Sequence, residues 1–246
     1  MDVLILQQFE RVLNRLSDDI DWRQLEASGY LDYLTPTEAA EPQNLTPTFL
    51  RMVWLLARHP GGALIANTMA ARLFDIKELA VSDLEANLQN HSQGMLVCDL
   101  VRSALLTGYV REIQSLTLSY AQTRQQFKQP ISKFQTVQHQ LATLAEETIA
   151  ASIACEAAFS TSLRAISADR VSATKFRTLT SARKAAAVGH ALHGAMGISA
   201  EYPLGRLVRA IHDASAIAGG IEVAAIDLGM SALSTKVSTL EFVRSI

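Results

Sequence analysis

Val97, Val101, Leu105, Tyr109, Ile113, Leu116 and Tyr120 recur at steps of four and three residues. An unbroken apolar stripe of that reach traces one face of a helix far longer than the average globular helix. Such a helix can bury its face only against other helices of similar length or against a sheet. The rest of the chain offers helices. A second long one is expected from about Phe134 into the 160s, with Val137, Leu141, Leu144, Thr148, Ala151 and Cys155 on one face. A third carries Phe176, Leu179, Ala182, Ala186 and Gly189, and a fourth covers about Gly219 to Thr235. No period-two strand and no internal repeat is evident. The expected fold class is therefore all-α, an antiparallel four-helix bundle over residues 91–246 with a smaller helical region over 1–90 packed on it.

The first 90 residues are patterned more loosely. Leu6, Phe9, Leu13 and Leu16 mark an amphipathic helix ending near Ser17, and a short helix through Trp22 to Ala27 should stop at Gly29. Pro36, Pro42 and Pro47 punctuate a loop, after which Thr46 can cap a new helix with Pro47 in its first turn. From Gly61 to Asn90 the pattern is helical, with a turn expected in the acidic section Asp75–Glu85.

Composition narrows the function classes. With 49% hydrophobic residues but only 12 Gly and 6 Pro in 246, the chain is neither disordered nor low-complexity. A net charge of −2 supplies no general basic field for nucleic acid. Cys98 and Cys155 are too few for a disulfide framework or a metal clip and read as buried free thiols. No metal site is expected. The start lacks the basic segment and apolar stretch of a signal peptide, and no membrane-spanning apolar run occurs, so the expected address is the cytoplasm without a membrane anchor.

Local signatures of common enzyme classes are missing: no GxGxxG after a strand, no Walker loop, no HExxH, no GxSxG and no paired ExxH. Two segments break the helical period instead, Arg124–Ile131 with its continuation Phe134–His139, and Leu192–Gly197. Taken singly, the first is a helix-turn-helix corner and the second a helix ended by glycine.

Taken together and in order, they resemble the C-terminal helical domain of the acyl-CoA dehydrogenase family. Tyr120-Ala121-Gln122-Thr123-Arg124-Gln125-Gln126-Phe127-Lys128-Gln129-Pro130-Ile131 is similar to the family's Y-A-x-x-R-x-Q-F-G-x-P-I, and Phe134–Ala142 to its F-Q-x-V-Q-H-x-L-A. Leu192-His193-Gly194-Ala195-Met196-Gly197 is similar to L-H-G-G-x-G, and Glu201–Arg209 to the E-Y-P-V-x-R-L-x-R that follows. The likeness covers about residues 95 to 230, and Trp22, Leu25 and Gly29-Tyr30-Leu31 are similar to a segment of the family's N-terminal helical domain.

The resemblance implies an FAD site at a subunit interface in a homo- or hetero-oligomer, and α,β-dehydrogenation of an acyl-CoA. Arg124 would pair with the FAD pyrophosphate, Phe127 would lie against the dinucleotide, and Gln126 and Gln135 would hydrogen-bond it. The His193-Gly194-Ala195 turn of a neighbouring subunit would approach the adenine end. Gly220 and Glu222 stand near the place of cofactor-contacting residues.

Against that pattern the chain departs in three ways. A short acidic stretch, Asp75–Gln93, joins the helical regions where the family has a β-domain. Ala218 holds the place of the usual catalytic glutamate, and Cys98 the alternative one, with Asp99 beside it where it would repel CoA phosphates. Lys128, Ala191 and Ala195 replace two glycines and a glutamine of the family pattern. These departures imply a subunit that relies on a partner acyl-CoA dehydrogenase-like chain for its base, or a non-catalytic helical scaffold or regulatory subunit. His212 and Asp213, adjacent on a helix, are expected on the surface rather than as an acid/base pair.

Overall fold

The computed structural model describes residues 2–16, 22–33, 46–74, 93–161, 165–199, 201–235 and 237–245. Four helices form the N-terminal layer: α1 (Asp2–Leu13), α2 (Trp22–Ala27), α3 (Pro47–Leu56) and α4 (Gly62–Arg72). The bundle follows as α5 (Gly94–Thr123), α6 (Gln135–Phe159), α7 (Ala168–His193), α8 (Pro203–Ile217) and α9 (Gly220–Ser234), with a last short helix, α10 (Thr239–Ser245). The all-α fold expected from periodicity is the fold observed. The turn expected within Asp75–Glu85 lies outside the described residues.

Local chemistry accounts for the helix starts. The Thr46 hydroxyl accepts the Phe49 N–H at 3.1 Å with Pro47 opening α3, and the Ser167 hydroxyl accepts the Arg170 N–H at 3.2 Å to open α7. One core runs through both layers: Phe9, Leu25 and Phe49 are fully buried with Val101, Phe159 and Leu204. Phe49 of α3 meets Phe159 of α6 at 6.2 Å between ring centroids. Gly108 lets α3 lie close against α5, because a Cβ there would come within 2.6 Å of the Ala57 Cβ.

At the centre of the bundle α5 is buried on more than its apolar stripe. Ser103 and Thr107 lie inside as well, each hydroxyl donating to the carbonyl one turn back, Asp99 at 2.7 Å and Ser103 at 2.9 Å. That bond offsets the cost of burying a hydroxyl. α7 packs alongside α5 with its C-terminal end at the same end of the bundle, so Tyr120 of α5 stacks on His193 of α7 at 4.4 Å. α6 returns between them.

Two elements differ from the sequence reading. The corner after α5 is a miniature hairpin in which β1 (Gln125–Gln126) pairs antiparallel with β2 (Gln129–Pro130). α8 is a separate amphipathic helix that buries Leu204, Leu207, Val208 and Ile211. His212 and Asp213 face solvent, as expected. α9 buries little: among its described side chains only Ala224 falls in the core, while Ile226, Met230 and Leu233 are exposed at 62%, 65% and 85%. No single helix among the described residues is long and apolar enough to cross a membrane.

Candidate functional site

The C-terminal end of α5 is shaped by two backbone bonds. The Arg124 N–H donates to the Tyr120 carbonyl and the Ile131 N–H donates to the Arg124 carbonyl, both at 2.8 Å, so the six residues between close into the hairpin. Its tip is Phe127 at φ 49° and Lys128 at φ 68°. Both central residues are left-handed, as a two-residue hairpin turn requires, and for side chains other than glycine each costs about 1–2 kcal/mol. The strained tip holds the Phe127 ring in solvent, 86% exposed, and nearly perpendicular to the Phe134 ring at 6.1 Å between centroids.

The end of α7 faces it. Gly194 caps the helix at φ 57°, and a Cβ there would meet nothing within 4 Å, so the backbone of the turn is left accessible from outside. His193, just before it, is buried between Tyr120 and Tyr202, whose ring lies 5.1 Å away. Its Nδ1 is 2.9 Å from the Gly189 carbonyl, which can only accept, so Nδ1 carries the proton. Burial holds its pKa below the usual 6.5, outweighing that bond. Tyr120, Arg124, Phe127, Phe134, Leu192 and Gly194 line an open groove of about 500 Å³.

Of the residues singled out from sequence, Arg124, Gln126, Phe127, His193 and Gly194 line this groove. Gln135, Ala195, Gly220 and Glu222 are not among its lining residues; Gly220 and Glu222 belong to the first turn of α9. Tyr120, Phe134 and Gln140 are lining residues for which no site role was expected. Within one chain the two segments lie on the same face, because α5 and α7 end side by side. The groove is chemically suited to a flat, anionic dinucleotide, with a guanidinium on an exposed arm, aromatic faces and an uncovered glycine turn.

A second pocket, about 260 Å³, lies toward the other end of α5 and is lined by Met95, Cys98, Asp99, Arg102, Lys175 and Ala218 with its neighbours. Cys98 and Ala218, far apart in sequence, therefore open on the same space. Its one carboxylate is already committed: Asp99 pairs with Arg102 at 2.9 Å and with Lys175 at 3.2 Å, their side chains 18%, 14% and 12% exposed. Asp99 is thus flanked by two cations of its own chain. Lys175, 76 residues away, is a residue that sequence reasoning missed, since its pairing arises only when α7 packs on α5.

Deeper in the bundle, Glu147 accepts hydrogen bonds from Arg177, from Ser181 at 2.8 Å and from Lys184 at 2.6 Å. Burial alone would raise its pKa, but these donors and the Arg177 charge hold it below its usual 4.5. Cys98 and Cys155 are buried free thiols, and burial pushes the Cys155 thiol up to about 12. Among the described residues no group of three or more His, Cys, Asp or Glu is placed to hold a metal ion.

An ion-paired pocket thus lies toward one end of α5 and an exposed groove at the other. Residues 100–233, more than half of the chain, match the family model for the C-terminal domain of acyl-CoA dehydrogenases. The chain belongs to the acyl-CoA dehydrogenase family. It is 26% identical over 208 residues to acyl-CoA dehydrogenase FadE28 of Mycobacterium tuberculosis, covering 83% of this chain and 56% of that protein. It therefore spans little more than half the length of that relative. Among solved structures, an acyl-CoA dehydrogenase from Geobacillus kaustophilus superposes with a TM-score of 0.54 at 26% identity, over 58% of this chain and 38% of that one. The ChsE4-ChsE5 complex from Mycobacterium tuberculosis shares the fold, with a TM-score of 0.56 at 23% identity, over 58% and 40% of the two chains.

Proposed function

We propose that this chain is the flavin-holding subunit of an acyl-CoA dehydrogenase-like oligomer, and that its partner supplies the catalytic base. The observation that carries the reading is the meeting of Arg124, Gln126 and Phe127 with Leu192–Gly194 in one groove. Arg124 would neutralise the FAD pyrophosphate through its planar fork, Phe127 and Phe134 would cover the dinucleotide, and Gln126 would fix its orientation by hydrogen bonding. The Gly194 turn would admit backbone close to the adenine end. FAD, when bound, supplies the hydride acceptor for α,β-dehydrogenation of an acyl-CoA thioester.

The reaction also needs a group to take the α-proton, and Ala218 cannot. Asp99, the carboxylate that lines the same pocket, is already engaged by Arg102 and Lys175. Hence the partner. Two further observations support an oligomer: the exposed Ile226, Met230 and Leu233 of α9 and the exposed Ile149 and Ile153 of α6 are apolar surface of the kind that subunit interfaces cover. One structure that shares the fold is itself a two-component assembly, ChsE4-ChsE5.

A second reading, a non-catalytic scaffold that keeps the bundle and has lost the cofactor, is favoured by Ala218 and by the paired Asp99. The visible spectrum separates the two. Protein purified with the products of neighbouring genes should be yellow and its flavin bands should bleach on adding an acyl-CoA. Colourless protein in every pairing, with no FAD retained after reconstitution, would leave the scaffold reading standing.

A further inference from the structure

A cleft of about 660 Å³, larger than either pocket above and separate from both, runs between α1, α3 and α5. Its α3 wall is the stripe Arg51, Trp54 and Leu55, which Arg58 in the turn just after the helix extends at the i+7 position. Leu6 of α1 and Leu118 of α5 add apolar wall.

The charges along the row are unequal. At one end Arg58 is occupied twice, by Glu10 at 3.2 Å and by Glu112 at 2.5 Å. At the other end Arg51 makes no ion pair among the described residues. Between them the Arg111 guanidinium lies 4.4 Å from the centre of the Trp54 ring, and the Trp54 indole N–H is buried without a hydrogen-bond partner. A guanidinium without an ion pair at the Arg51 end, a second over the Trp54 ring, and the apolar wall of Leu6, Leu55 and Leu118 call for an amphipathic anion.

We propose that this cleft binds a medium-chain monocarboxylate, its apolar body along Trp54, Leu55 and Leu6 and its carboxylate at Arg51. The row from Arg51 to Arg58 is about 10 Å long by helical rise, which sets the length of the body. The carboxylates of Glu10 and Glu112 close the far end against a second anionic group. The assignment is independent of the flavin groove.

The test is a titration of the chain with decanoate, decanol and decyltrimethylammonium, followed by tryptophan fluorescence in a Trp22→Phe background. Only two tryptophans are present, so the signal then belongs to Trp54. Decanoate should give a saturable change, decanol one at least about ten-fold weaker, and the cation none. Arg51→Ala should weaken decanoate about ten-fold and leave decanol unchanged; Arg51 is exposed, so the variant folds. Equal affinity for decanoate and decanol, no saturable change in protein whose circular dichroism is intact, or an Arg51→Ala variant that binds decanoate as well as its parent would each overturn the proposal. So would loss of decanoate binding in Arg124→Ala, which would move the ligand to the other groove.

Discussion

The two ends of α5 carry opposite kinds of site. At its C-terminal end the charged and aromatic side chains are unspent: Arg124 makes no ion pair among the described residues, and Phe127 is held out in solvent by a strained turn. At its N-terminal end every charge is answered inside the chain, Asp99 by Arg102 and Lys175, and the two positions where a base could stand are a thiol and a methyl group. Strain and exposure persist in a folded protein when something else depends on them, whereas a closed ion cluster serves the fold. On the proposed function, one end is kept for a ligand and the other serves the fold. That contrast predicts that substitutions at the first end alter binding without altering stability, and that substitutions at the second do the reverse.

The largest expected effect is at the closed end. Asp99→Asn leaves the largely covered Lys175 without its carboxylate and should cost about 3 kcal/mol, the low end for pairs broken from one side. Denaturant unfolding reads it directly, and the FAD affinity of the folded variant should match that of the parent. A loss of FAD affinity there would break the division between the ends. At the open end, Arg124→Ala should weaken FAD binding by about 2 kcal/mol, the worth of a charge-assisted contact to phosphate, while the melting temperature stays put. Lys128→Gly sharpens the same point from the other direction. Relieving one left-handed residue should stabilise the chain by about 1 kcal/mol, and the more relaxed tip should not raise FAD affinity.

The smallest effect is a pH dependence. His193 is neutral and buried, with its pKa lowered below 6.5 in the folded chain. The unfolded chain therefore takes up the proton first, so stability is full above pH 6.5 and declines as the pH falls below it. His193→Asn should flatten that part of the stability profile. Glu147 acts lower on the scale: its carboxyl is held below 4.5, so its contribution persists through neutral pH and is lost as the pH falls through the folded value. Glu147→Gln should remove that acid-side loss while lowering stability at pH 7.

Much of this contrast could be read before any coordinates. The stripe from Val97 to Tyr120 predicts α5, and Thr46-Pro47 predicts the start of α3, because helical period and capping are local properties. The groove residues Arg124, Phe127 and His193 were legible because they interrupt that period in a recognisable order. What could not be read depends on contacts distant in sequence. Lys175 reaches Asp99 only across the α5–α7 packing, and Glu147 collects Arg177, Ser181 and Lys184 only across α6 and α7. The hairpin escaped notice because Phe127 and Lys128 are poor candidates for left-handed turn positions, which glycine or asparagine usually fills. The shared face of the two groove segments follows from helix order rather than from either motif.

The central claim is that the open end of α5 is a flavin-nucleotide site, and an equilibrium titration of FAD tests it most directly. FAD should be titrated into the chain alone and with its co-purified partner, for the parent, Arg124→Ala and Asp99→Asn. Saturable binding that falls at least about ten-fold in Arg124→Ala and holds in folded Asp99→Asn is the predicted result. No saturable binding in either state, or equal binding by the parent and Arg124→Ala, would contradict it.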